Sequence, residues 1–325
     1  MPRKFFFRLI FVFIAGGITS VLVSSCTTKN QKPQVPAASA IFPDTSSIPL
    51  TEEGNLIRYG RKLVAQTAFY FGPKGKIADL TSGMNCQNCH LDAGTKAFAN
   101  NFFKVASSYP KFKERSGAYE SIEKKVNDCF ERSLNGKTID TSGKEMKAFV
   151  AYIKWVGSAI IKDEKLLKSG TEELPVLDKA ADTVMGKKIY LQNCAKCHGN
   201  EGNGVMDAVA VSYIYPPLWG MHSYNNGASI YRISKLAGYI KNNMPFGVKH
   251  DSTALTTEEA WHVAAYINSQ PHPHKDVSKD WPVLNTKPFD YPFGPYASTD
   301  TFSEKQHKYG PFASIKAAKP NVAKK

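Results

Sequence analysis

The chain lacks the cysteine framework that staples small secreted domains. It has six cysteines in 325 residues, and four of them sit in two short repeats. Any disulfide would have to use the remaining two, so none is expected. Long apolar runs are absent after residue 23, so no later segment predicts a membrane span. Period-two alternation is scarce, which leaves few strands and a mainly α class. Acidic residues are in deficit: 28 Asp and Glu stand against 42 Lys and Arg, a formal charge of +14. Such a balance either makes a basic solvated surface or draws small anions or an acidic protein partner.

The N-terminus reads MPRKFFFRLIFVFIAGGITSVLVSSC. Three cations precede an apolar stretch at 9–23, and V-S-S-C ends at Cys26, which is the pattern of an export signal. V-S-S-C resembles a bacterial lipobox, so residues 1–25 are expected to be removed and Cys26 acylated. The alternative is an uncleaved anchor, for which the run is barely long enough. Either way the chain is expected outside the cytoplasm, tethered to a membrane, and with Cys26 acylated it would be a membrane-anchored lipoprotein on the periplasmic side of a Gram-negative bacterium. Nucleic acid is not an expected partner there. Residues 26–51, rich in Pro, Ser, Thr and Ala, read as a flexible tether.

Beyond the tether one order of elements occurs twice. Helical periodicity is read at 52–71, 119–134 and 142–161, and again at 179–193, 229–242 and 257–270. Ser142 with Glu145 predicts a capping box, and Thr257 is a candidate N-cap. The first helix of each set leads into C-x-x-C-H, as Cys86, Cys89 and His90 and as Cys194, Cys197 and His198. This is the attachment signal of c-type haem. Two thiols one turn apart reach the two vinyl groups, and the histidine supplies an axial nitrogen. A zinc knuckle would need both pairs at one site, whereas each pair opens its own repeat. The fold expected is mainly α: two tandem cytochrome c-type domains, at 52–165 and 179–270, joined by a linker at 166–178. An irregular tail at 271–325 would wrap them. The cofactors expected are two covalently bound haem c groups.

Each iron needs a sixth ligand. After His198 the candidates are Met206, Met221, His222 and Met244; the N-N-M-P-F-G context, just past a helix, favours Met244. After His90 the candidates are Cys129, Met146 and a lysine. Met146 fits the apolar stripe of its helix. Cys129 shares a face with Ile122, Val126 and Ser133, and spacing leaves two readings open: a buried inert thiol or a thiolate on iron. Arg115, Lys124, Lys125 and Arg132 lie around it, either as a solvated basic face or as charge that favours thiolate and draws an anion.

The segments MNCQNCHLDAGT, YPKFKERSG, VNDCFERSLNG and EMKAFVAYIKW, then NCAKCHGNEGNG, PPLWG, NMPFG and FSEKQHKYGPF, resemble the dihaem thiosulfate dehydrogenases that form tetrathionate. The likeness runs in order through residues 52–315. It implies that Cys129 is the axial ligand of a catalytic haem held by Cys86, Cys89 and His90. It also implies that Arg115, Lys125 and Ser133 hold the sulfur oxyanion. Lys125 stands where relatives often carry Arg, and an ammonium keeps the charge but lacks the planar fork. Asn243 stands where some relatives carry a Lys. The resemblance implies oxidation of two thiosulfates to tetrathionate, with electrons leaving through the haem of Cys194, Cys197, His198 and Met244. The acceptor would be soluble or membrane-bound, such as another cytochrome. The alternatives are the same site run as a tetrathionate reductase, or a dihaem electron-transfer cytochrome with no substrate chemistry.

Overall fold

Two glycines set how the helices cross. The computed structural model describes residues 44–158, 168–209 and 211–319. The export signal, Cys26 and most of the tether lie outside the described residues. The helices are α1 (Glu52–Ala65), α2 (Ile122–Asp128), α3 (Lys144–Ser158), α4 (Thr183–Asn193), α5 (Ile233–Asn243) and α6 (Thr257–Ser269), with α7 (Glu304–Tyr309) and α8 (Ala313–Ala318) in the tail. Shorter helical turns lie between them. Helix α1 packs on α3, and α4 on α6. A Cβ at Gly60 of α1 would stand 2.0 Å from the Ala148 carbonyl oxygen and 2.7 Å from Tyr152 Cβ. A Cβ at Gly186 of α4 would stand 2.0 Å from the His262 carbonyl oxygen and 2.8 Å from Tyr266 Cβ. The same close crossing is thus built twice, each time with glycine where any side chain would strike backbone.

Each crossing has its own core. Leu63, Phe130, Phe149 and Val156 are buried in the first, and Tyr190, Leu236, Trp261 and Ile267 in the second. The halves nevertheless belong to one compact unit. The Tyr239 hydroxyl donates to the Asn88 carbonyl at 3.1 Å, and Asn225 Nδ2 to the Glu131 carbonyl at 2.8 Å. Among the described residues no helix is long and apolar enough to cross a membrane.

Several boundaries differ from the sequence expectation, for local reasons. The helix read at 52–71 breaks at Gln66, and a short one resumes over Thr67–Phe71. At the break the Thr67 hydroxyl donates to the Leu63 carbonyl and accepts from the Cys86 N–H at 2.9 Å, so it pins the first attachment motif. The helix read at 119–134 begins only at Ile122. Ala118–Glu120 is instead a strand, β2, paired antiparallel with β1 (Lys111–Lys113), with Lys111 opposite Glu120. A second small sheet pairs β3 (Val205–Met206) with β4 (Tyr213–Tyr215). Ser142 does not cap α3: its hydroxyl is held by Asp140 at 2.8 Å. The cap of α6 is Thr256, one residue before Thr257, in a reciprocal box with Glu259. The tail wraps both halves and contains α7 and α8. Phe312 and Ile315 enter the second core, and the fully buried Asp290 accepts from Arg232 Nε at 2.7 Å.

Candidate functional site

The second attachment motif opens on an apolar cavity of about 430 Å³, lined by Cys194, Cys197, His198 and Met244 together with Leu218, Ile240, Val263 and Ile267. His198 Nδ1 donates to the Pro216 carbonyl at 2.8 Å, which fixes the ring and leaves Nε2 free to ligate. Burial moves the His198 pKa down, towards the neutral imidazole that binds iron. Of the four candidate sixth ligands, Met221 is 76% exposed and His222 is exposed. Met206 packs on the first core. Met244, directly after α5, is the one in the cavity. Asn243 beside it is buried and donates to the Phe98 and Tyr239 carbonyls.

At the first motif, Asn85 accepts from the Ala68 N–H at 2.8 Å and Thr67 from the Cys86 N–H. His90 Nδ1 donates to the Asn100 carbonyl, again leaving Nε2. Burial, with the Lys125 charge adding to it, holds the His90 pKa down to about 4 despite that bond. Burial, with Cys129 adding to it, pushes the thiols of Cys86 and Cys89 up to about 12. Cys129 and Lys125 thus act electrostatically on the attachment motif. Met146 is 1% exposed in the first core, which is packing. Two cysteines and one histidine with a bare nitrogen per half, with the Met244 sulfur in the second cavity and the Cys129 sulfur as the candidate for the first, form a donor set that fits haem c twice. Among the described residues no three His, Cys, Asp or Glu side chains gather as a cage for a metal ion.

Cys129 lies where α2 gives way to a wider turn over Cys129–Ser133, closed by the Leu134 N–H bonding to the Cys129 carbonyl at 2.9 Å. Such i→i+5 turns recur at functional sites. The turn lines a second cavity, about 440 Å³, in which Arg115, Lys125, Cys129 and Ser133 come together. Lys113, Asp128, Arg132 and Trp281 line it too. Arg115 sits beyond β1 and donates to Asp128 Oδ2 at 2.7 Å, while Lys124 holds the other oxygen of that carboxylate. Burial alone would raise the Asp128 pKa, but Lys124 and Arg115 hold it below the usual value. Arg132 pairs with Asp280 through two bonds of 2.7 and 2.8 Å. Lys125 makes no ion pair among the described residues; its ammonium lies 5.8 Å from the Tyr109 ring centroid. Burial opposes the Lys125 charge, yet Cys129 and Tyr109 outweigh it, so the pKa lies above the ordinary lysine value. Lys113 goes the other way: burial, then Lys125 and Lys111, bring it down to about 8.

Known proteins resemble the chain along most of its length. The family described as "SoxA/TsdA, cytochrome c domain" matches residues 76–159, and "Cytochrome c" matches residues 184–271. The thiosulfate dehydrogenase of Stutzerimonas stutzeri is 33% identical over 231 residues, which is 71% of this chain and 72% of that protein. That of Allochromatium vinosum is 32% identical, over 73% of this chain and 86% of the relative. The chain belongs to the thiosulfate dehydrogenase family. A solved structure of the thiosulfate dehydrogenase TsdBA from Marichromatium purpuratum superposes with a TM-score of 0.65 at 30% identity. It covers 72% of this chain, and the chain spans half the length of that solved one. As a family member with two cytochrome c domains, the chain is a mainly α oxidoreductase that binds two haem c groups covalently.

Sequence reasoning did not find Asp128, Asp280 or Trp281. Asp128 adjoins Cys129 and carried no signal beyond its charge. Asp280 and Trp281 lie about 150 residues away in a segment without periodicity.

Proposed function

We propose that this thiosulfate dehydrogenase family member joins two thiosulfate anions through their sulfane sulfurs into tetrathionate, releasing two electrons, at the cleft of Cys129. Cys86 and Cys89 would attach the first haem, with His90 and Cys129 as axial ligands. Cys194 and Cys197 would attach the second, with His198 and Met244. When bound, these groups supply one-electron oxidation and reduction.

The residues of the cleft answer an electrostatic problem. Two thiosulfate dianions brought to about 5 Å repel by on the order of 10 kcal/mol at an effective dielectric of about 20. The Lys125 ammonium, with no carboxylate partner among the described residues, is a charge available to offset this. Arg115 is held in place by Asp128 and offers its remaining donors to sulfonate oxygens. The Ser133 hydroxyl lies in the same cleft and can donate a further bond. The observation that carries the reading is the convergence of Arg115, Lys125, Cys129 and Ser133 on one cleft beside the first attachment motif. Electrons would leave to another cytochrome, soluble or membrane-bound. The V-S-S-C stretch supports export and acylation at Cys26, on the periplasmic side of the membrane. The test is product analysis with thiosulfate and an excess of one-electron oxidant. One tetrathionate for every two thiosulfates supports the reading, and sulfite or sulfate as the main product contradicts it.

A further inference from the structure

Two buried N–H groups on residues that line the cleft have no hydrogen-bond partner among the described residues. Arg132 spends Nη1 on Asp280 and on the Gly227 carbonyl at 3.1 Å, and Nη2 on Asp280 at 2.8 Å. Its Nε is buried and unbonded. The residue after Asp280 is Trp281, whose indole Nε1 is also buried and unbonded. Both side chains line the cavity of Cys129 and Lys125. A buried donor left without a partner costs about 1–3 kcal/mol, so two in one cation-lined cavity call for a ligand that accepts.

The backbone around Trp281 is strained in a way that serves this placement. Its φ is +63°, which is rare for a bulky residue. The conformation is held on both sides: the Trp281 N–H donates to the Arg115 carbonyl at 2.7 Å, and Asp280 grips Arg132. Strain of this kind costs about 1–3 kcal/mol and persists where the surroundings over-determine it. The Tyr291 ring supports the indole edge-on at 5.8 Å. The tail thus does more than cover a core; it contributes a side chain with an unpaired N–H to the wall of the cleft.

We propose that Trp281 Nε1–H and Arg132 Nε–H form an oxyanion cradle, contributed jointly by the C-terminal tail and the Cys129 turn, at which a sulfonate of the substrate or a carboxylate of the haem edge binds. The sulfonate arm rests on the function proposed above. Neutral or cationic N–H donors to an anionic oxygen are short, charge-assisted bonds, and they complement Arg115 and Lys125 without adding net charge.

The test uses the haem-loaded protein and two variants. Trp281→Phe keeps the ring and removes the N–H; Trp281→His restores a ring N–H. Tetrathionate binding is measured on the fully oxidised protein, which has no electrons with which to reduce it, alongside haem midpoint potentials and melting temperature. If the cradle holds the substrate, Trp281→Phe raises Kd about ten-fold or more, Trp281→His recovers part of it, and potentials and melting temperature stay as in the wild type. If it holds a haem carboxylate, Kd is unchanged and the midpoint potential of the first haem moves. If neither moves in Trp281→Phe, or only the melting temperature falls, the cradle is overturned. Absence of tetrathionate binding to the wild type overturns the substrate reading of the cleft itself, and the midpoint potential then decides the cradle.

Discussion

Of the basic side chains grouped near Cys129, three are already committed to carboxylates: Arg115 and Lys124 share Asp128, and Arg132 holds Asp280. Lys125 and Lys113 make no ion pair among the described residues, and of the two Lys125 is the one whose positive charge its surroundings reinforce. Lys125→Gln is expected to weaken tetrathionate binding to the oxidised protein about ten-fold or more, the size of a charge-assisted bond. It should also flatten the salt dependence of that binding; a sodium chloride series with the same slope in the variant as in the wild type would contradict this. Lys113 predicts a pH dependence. Its amine is brought down to about 8, so it is an ammonium below that pH. An anion in the cleft raises that pKa, so its contribution to affinity is full below pH 8 and is lost as the pH rises beyond it. Isothermal titrations from pH 7 to 9.5 should show the fall in wild type and a shallower one in Lys113→Gln. At this scale the sequence made the attachment residues legible, because C-x-x-C-H is a local pattern. Which cations remain unpaired was not legible, since it depends on partners such as Asp280 that are distant along the chain.

The helices were legible from their periodicity, and the duplication from the recurrence of the motif. The reason the helices can cross so closely was not, because Gly60 and Gly186 are marked only by where their partners lie. Gly60→Ala and Gly186→Ala each place a Cβ 2.0 Å from a carbonyl oxygen. Overpacking of this kind is expected to cost about 1–3 kcal/mol or more. Thermal unfolding of the haem-loaded variants checks it, and a melting temperature equal to the wild type would refute the close crossing. The hairpin β1–β2 escaped a reading by period because three-residue strands give no alternation to see. The wide turn at Cys129–Ser133 was invisible for a related reason. A single i→i+5 step leaves the apolar pattern of α2 intact and changes only where the following side chains point.

At the scale of the whole molecule, the tail ties the two halves together and closes the cleft. Its wrapping role was legible from composition, but its registry was not, since Arg132 and Asp280 meet across 148 positions. Their side chains are 12% and 9% exposed. Asp280→Ala would leave a buried guanidinium unpaired, which costs about 3–5 kcal/mol. A lower melting temperature and faster proteolysis of the tail are expected, and wild-type values for both would contradict the clasp. The proposed function puts sulfur chemistry at Cys129 rather than at the second attachment motif. The most direct test is stopped-flow mixing of thiosulfate with oxidised wild type and with Cys129→Met, which keeps Cys86 and Cys89 for haem attachment. Wild type should show rapid bleaching of the oxidised haem spectrum, with two thiosulfates consumed per tetrathionate, while Cys129→Met, with both haems attached, should stay oxidised. Reduction of Cys129→Met by thiosulfate at the wild-type rate would contradict the account.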